Sequence, residues 1–260
     1  MTEAINVLKR ATISFVGEDC ILKLSKDDDG MPRDLYNQVD KVLKTWKGRW
    51  KKGTGHIFPF DITDTLANYI ESDGKKNDIK EDQWFYTPTN IADYLCELAE
   101  FDSSVANVLE PSAGLGHIAD RIEHYRKSHD LDFGITCIEK NEGFVKKLDA
   151  KGFNVPHDDF MQFKFGGWDR IIMNPPFAKG AEVDHFLHAC ELVAVGGIVV
   201  SVLSNACTFR TDGKYKELRK FLQANKHVMQ MNQAGAFKEA GTGVQTCIIK
   251  ITKPLAGFKV

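Results

Sequence analysis

The chain has 260 residues, 43% of them hydrophobic and 27% charged, and a formal net charge of -2. That length builds one substantial core with a small appended module, and the near-neutral charge excludes a binder driven by global charge, so any nucleic-acid contact must come from local patches. Cys20, Cys96, Cys137, Cys190, Cys207 and Cys247 are scattered, without a CxxC pair or a Cys/His cluster at metal spacing. This excludes a zinc module and a disulfide framework and suits a reducing intracellular compartment. The opening MTEAINVLKR lacks the apolar core of a signal peptide, and no apolar run is long enough to span a bilayer.

In chain order, TISFVGEDCILKL predicts two short strands around a Gly-Glu-Asp turn, and the acidic stretch 27–30 a solvated loop. A helix follows, with Pro32 in its first turn and Leu35, Val39, Val42, Leu43 and Trp46 on one face. HIFPF reads as a strand and residues 62–70 as a second short helix. ESDGKKNDIKED, residues 71–82, has linker polarity, so a small α+β module is assigned to residues 1–80 and a second domain to 81–260.

The second domain alternates strand and helix. Pro88 opens a helix carrying Ile91, Leu95 and Leu98; SVANVLE is a strand, residues 118–125 a helix and FGITCIE a strand. A helix over 142–150, a strand near Phe153, a strand over 170–173, a helix over 183–193, the strand GGIVVSVLS and a helix over 215–224 come next. HVMQMNQ and VQTCIIKIT close the chain as strands with no helix between them. The expected fold is α/β, a Rossmann-like seven-stranded mixed sheet whose last two strands pair antiparallel.

Chemistry concentrates at strand ends. DRIIMNPPF, residues 169–177, places Asn174, Pro175, Pro176 and Phe177 after an apolar run. The Asn174 side-chain oxygen and the Pro175 carbonyl can accept both N–H bonds of a planar amine, a poor nucleophile otherwise, while Phe177 offers a flat face for a base. A strand-ending turn is the plain alternative. EPSAGLG, residues 110–116, has an acid at the strand end and glycines that let the backbone approach a ligand. It is neither a full GxGxxG nor a P-loop, which disfavours phosphate and suits a cofactor with an amino-acid end. Glu139 ends the next strand, where a carboxylate can hold two ribose hydroxyls. Asp159 can accept from an adenine amino group with Phe160 flanking the ring; a helix cap is the alternative for Asp159.

In this order the motifs resemble class I S-adenosylmethionine-dependent methyltransferases, specifically the DNA adenine-N6 enzymes of gamma-type order, in which a YTP-type segment precedes the glycine loop. The resemblance covers residues 84–252. It implies S-adenosylmethionine as cofactor, with Tyr86 and Thr87 of FYTP at its methionine end, Glu110, Pro111, Ser112, Ala113, Gly114 and Gly116 wrapping it, Glu139 with Lys140 at the ribose, and Asp159 with Phe160 at the adenine. It implies catalysis by Asn174 to Phe177 on a base flipped out of DNA, with Phe237 either stacking on that base or anchoring a loop. It also implies a cytoplasmic, bacterial or phage/plasmid-encoded enzyme, with no metal and no membrane. Many gamma enzymes carry a large recognition domain after the catalytic one, whereas this sequence ends soon after its last strand, and a homodimer is an expected substitute. RNA adenine or guanine, protein glutamine and a non-catalytic modification subunit stay open as alternatives. Cytosine-C5 chemistry is disfavoured because no cysteine follows a proline. His157 and His185 are read as structural or surface residues.

Residues 36–58 are similar to modules that precede the methylase domain in some phage and plasmid adenine methylases. Here Lys41, Lys44, Lys47, Arg49, Lys51 and Lys52 interleave with Trp46 and Trp50 in twelve residues that hold no acid. Cations neutralise phosphates and aromatics stack on bases, so Lys47, Arg49, Lys51 and Lys52 are candidate DNA contacts. Buried tryptophans beneath a solvated cationic face are the alternative. Arg210, Lys214, Lys216, Arg219 and Lys220 form a second basic stretch.

Overall fold

The computed structural model of the chain describes residues 2–17, 19–26, 29–58, 62–75, 86–156, 159–232, 237 and 244–259. It divides into two compact units, Met1–Trp84 and Phe85–Val260.

The first unit contains α1 (Thr2–Lys9), β1 (Thr12–Val16), β2 (Asp19–Lys23), α2 (Arg33–Thr45), β3 (Arg49–Lys51), β4 (Gly55–Phe58) and α3 (Thr63–Glu71). Its sheet has the order β1-β2-β4-β3 with every pair antiparallel. Val39 and Leu43, four apart and so on one face of α2, are buried and help form a core with Leu8, Leu22, Trp46 and Phe58. Trp46 meets Tyr69 edge-on at 5.2 Å. The chain turns sharply after α2, where a Cβ on Gly48 would lie 2.6 Å from the Phe58 ring. Among the described residues of this unit, α1 and β3 lie outside the sequence reading. The latter is three exposed residues at a sheet edge, with no apolar alternation to announce it.

The second unit contains α4 (Thr89–Leu98), β5 (Asn107–Pro111), α5 (His117–Ser128), β6 (Gly134–Ile138), α6 (Glu142–Ala150), β7 (Trp168–Met173), α7 (Ala181–Leu192), β8 (Val193–Ser204), α8 (Ala206–Phe209), α9 (Gly213–Ala224), β9 (His227–Met231) and β10 (Thr246–Thr252). The sheet runs β6-β5-β7-β8-β10-β9, parallel up to β8 and antiparallel at β10 and β9. Among the described residues the sheet has six strands where seven were expected. The segment near Phe153 makes only a bridge, Thr136 to Asn154, because Pro156 has no N–H with which to extend a ladder.

β7 is set against β5 by the first residues of the DRIIMNPPF run. The Asp169 carboxylate accepts the Ala106 N–H at 2.8 Å and the Asn107 N–H at 3.1 Å, while Arg170 donates to the Ala99 and Glu100 carbonyls at 2.5 and 2.8 Å. These bonds fix where β7 ends, and hence where Asn174 stands. Successive strands depart to opposite sides of β5, so the crevice beyond the carboxyl ends of β5 and β7 is the switch point at which open α/β sheets bind ligands.

All six cysteines are free and buried, but they are not all apart in space: Cys207 and Cys247 bring their sulfurs within 3.3 Å in the core between α8 and β10. No helix among the described residues is long and apolar enough to cross a membrane.

Candidate functional site

The glycine loop leaves β5 at Pro111 in a conformation that costs energy. Ser112 has φ 61°, a left-handed value unfavourable for a residue with a Cβ, and Gly114 and Gly116 follow at 58° and 81°. Gly116 ends the loop as the residue before α5, where a Cβ would lie 2.6 Å from Leu148 Cδ2. The strain is held by bonds on all sides. Ala113 N–H donates to the Ile138 carbonyl at 3.0 Å, Gly114 N–H to Glu139 Oε2 at 2.8 Å and Gly116 N–H to the Ala113 carbonyl at 2.9 Å. Lys151, which the sequence reading passed over, donates from Nζ to the Leu115 carbonyl at 2.8 Å and pairs with Asp120 at 2.6 Å.

These bonds decide what the loop can hold. Its N–H groups at Ala113, Gly114 and Gly116 are spent inside the fold and are not offered to a phosphate. What stands beside it is carboxylate. Glu139, 8% exposed, accepts from Gly114 with one oxygen and from the Asn141 N–H at 2.8 Å with the other, and a carboxylate oxygen can accept more than one hydrogen bond. That donor set fits a cofactor carrying hydroxyls and an amino-acid end. Asn141 in turn caps α6, accepting from Gly143 and Phe144. Lys140 is exposed.

Glu110 departs from its expected place as an open acceptor. The side chain is 2% exposed beneath the loop and takes the Ala119 N–H, which ties it to the first turn of α5. Burial raises its pKa well above the carboxylate range, with that N–H opposing the shift.

Across the crevice, Asn174 stands at the end of β7 and donates from Nδ2 to Thr87 Oγ1 at 3.1 Å. The amide is thereby turned so that its oxygen is the end left to accept. Pro175 is buried, Pro176 and Phe177 half-buried. Thr87 is buried, and the Tyr86 ring packs on His117, the first residue of α5, with centroids 5.4 Å apart. Two segments 87 positions apart in sequence thus meet at the switch point. Phe85 lies outside the described residues, as does His157.

Behind this corner lies an acid that no sequence motif signalled. Glu182 in the first turn of α7 is fully buried and accepts from Ser204 Oγ at 2.6 Å and from the Tyr215 hydroxyl at 2.8 Å, joining the end of β8 and helix α9 to the segment after Phe177.

Of three expected contacts, one acts as a cap and two are buried. Asp159 accepts from Met161 N at 2.9 Å as a cap, the alternative already considered for it. Phe160 is buried, with its ring centroid 4.9 Å from that of His188 and 5.5 Å from that of His185, and so belongs to the core. Phe237 is 1% exposed, which suits an anchoring side chain and leaves no open face for a base. His185 is buried, its Nδ1 2.9 Å from the Ala181 carbonyl.

The basic stretches also divide. Trp46 is core, whereas Trp50 is 55% exposed. Arg49, Lys51 and Lys52 are exposed, while Lys47 is half-buried at φ 68° and burial lowers the pKa of its amine. In the second stretch Arg210 pairs with Asp212, Lys214 with Asp184, and Arg219 donates to the Cys207 and Arg210 carbonyls. Lys216 and Lys220 remain exposed.

No family model matches the chain, and no curated protein matches it. Solved structures do. The type I restriction enzyme EcoKI M protein superposes with TM-score 0.56 at 16% identity over 98% of this chain and 61% of that one. A type I restriction-modification methyltransferase subunit from Streptococcus thermophilus gives TM-score 0.55 at 15% identity over 72% of this chain and 48% of that one. A Listeria monocytogenes protein, described as a putative class I S-adenosylmethionine-dependent methyltransferase, gives TM-score 0.54 at 16% identity over 75% and 68%. The fold is that of the class I methyltransferases. The chain spans about half the length of the Streptococcus subunit.

Proposed function

We propose that the chain transfers a methyl group from S-adenosylmethionine to the exocyclic N6 of adenine in DNA. The observation that carries this reading is the Asn174–Thr87 hydrogen bond, which joins the TP segment and the NPPF tetrapeptide at the switch point, opposite a glycine loop whose Gly114 N–H is spent on Glu139. The fold and the restriction-modification M proteins among its structural neighbours support it.

The loop from Glu110 to Gly116, with Tyr86, Thr87, Glu139, Lys140 and Asp159, holds S-adenosylmethionine. Bound there, the cofactor supplies a methyl group already activated on a sulfonium. The chain's own work is orientation. Asn174 Oδ1 and the Pro175 carbonyl accept the two N–H bonds of the target amine, which favours a pyramidal nitrogen with its lone pair free to attack. Pro176 stiffens the turn, and Phe177 stacks on the base, whose extrusion from the duplex costs a few kcal/mol. Arg49, Lys51 and Lys52, with a weaker share from Lys47, contact the DNA backbone from the N-terminal module, and the working unit is an intracellular homodimer. Phe237 is retained as a loop anchor beside the base.

The test is incubation with labelled S-adenosylmethionine and, separately, unmethylated duplex DNA, RNA and a release-factor-like protein, followed by digestion and identification of the modified unit. N6-methyladenine from DNA is the expected product. Label in RNA or in glutamine, with none in DNA, overturns the substrate and leaves the amine site standing.

A further inference from the structure

The N-terminal module holds a cleft of about 600 Å³, lined among others by Lys23, Asp29, Arg33, Tyr36, Trp50 and Thr54. Its aromatic wall follows from strand geometry. Side chains alternate along β3, so Arg49 and Lys51 share one face and Trp50 points to the other. The tryptophan therefore parts company with the cations that flank it in sequence and joins Lys23 from β2 and Arg33 from α2. The residue is 55% exposed, and its ring is propped by the buried His56 ring, with centroids 5.1 Å apart. Such a ring is a poor choice for a surface that meets only water.

We propose that this cleft takes one unpaired nucleotide of a DNA strand, its base against Trp50 and Tyr36 and its flanking phosphates toward Lys23 and Arg33, an inference that rests on the DNA reading above. The volume lies in the range of sites that enclose a small ligand. Base–aromatic stacking needs a flat exposed ring, and backbone tracking needs cations at its edge; the cleft has both. Asp29 and Thr54 supply the acceptor and hydroxyl that a base edge can use. Arg49 and Lys51 on the other side of the same hairpin extend the cationic track, so a polyanion passing the hairpin meets cations on either side. An acidic peptide would answer the cations but leave the two aromatic rings without a planar partner.

The experiment uses the full chain without cofactor and follows the anisotropy of a labelled single-stranded oligonucleotide of about a dozen nucleotides, a length that spans one such site. Trp50→Ala is expected to weaken binding about tenfold, the loss of one base stack, and Trp50→Phe to keep most of it. Lys23→Ala with Arg33→Ala is expected to flatten the salt slope by about one to two units. A blunt duplex should bind wild type and Trp50→Ala alike. Equal binding of the single strand to wild type and Trp50→Ala overturns the proposal, as does an equal loss on duplex and single strand. Binding of a mononucleotide as tight as that of the strand overturns it too, by making the cleft a small-molecule site. Methyl transfer plays no part in the measurement, so an enzyme that methylates DNA with Trp50 irrelevant loses only the cleft, and a Trp50-dependent strand binder that methylates RNA or protein loses only the substrate.

Discussion

In the proposed reaction, Asn174 is where a single side chain decides the chemistry. Its nitrogen is committed to Thr87, so Asn174→Ala removes the acceptor at the amine and also leaves the buried Thr87 hydroxyl short of a donor. With one preorganised acceptor gone, kcat is expected to fall about 10²- to 10³-fold, with S-adenosylmethionine affinity, measured by calorimetry, changing little. Retained turnover would remove Asn174 from the amine site. Glu110 yields a second residue-scale expectation, on pH. Its folded pKa is raised by burial, so the folded state holds its proton where the unfolded chain has lost it. Stability from this group is complete below the ordinary glutamate value and is lost as pH rises through the raised one. Glu110→Gln, which cannot ionise, should therefore lose less stability than wild type in urea melts between acid and mildly alkaline pH. Parallel profiles would show that Glu110 does not titrate in that range.

Gly116 carries the argument at the scale of elements, because one atom there sets how the loop meets α5 and α6. Gly116→Ala combines φ +81° with a Cβ 2.6 Å from Leu148 Cδ2, so denaturant melts should show a loss of about 1–3 kcal/mol, with cofactor affinity falling as the loop shifts. An unchanged midpoint would mean that Leu148 yields freely. This part of the site was legible in sequence because glycines at close backbone approaches and acids at strand ends follow from chain geometry. Lys151, Asn141 and Glu182 were not, since each acts through a partner that only the fold brings near: the Leu115 carbonyl, the α6 N–H groups, and Ser204 with Tyr215. The same physics divides the strands. Long apolar runs such as β8 announced themselves, whereas β3 is short and charged and the Asn154 segment is cut off by Pro156. Phe160 illustrates the converse failure, for a phenylalanine after a strand end reads alike whether it flanks a ligand or fills the core.

At the scale of the whole molecule, each unit closes its own core, one around Trp46 and Phe58 and the other around the sheet from β5 to β10. A unit with its own core can melt as its own cooperative event. Unfolding enthalpy scales with length, so residues 1–84 should contribute about 60 kcal/mol and residues 85–260 about 120 kcal/mol to a calorimetric scan, as two transitions in a ratio near one to two. The proposed cofactor residues Tyr86, Thr87, Glu110 to Gly116 and Glu139 all belong to the second unit. A ligand that binds only the folded form at about a hundredfold over its Kd adds about 2.7 kcal/mol, so saturating S-adenosylmethionine should raise the larger transition by several degrees and leave the smaller one in place. A single-stranded oligonucleotide should do the reverse if its main contact is the Trp50 cleft, and that shift should vanish in Trp50→Ala. Cofactor that moves the smaller transition instead would put its site in the N-terminal unit, against the geometry of the glycine loop.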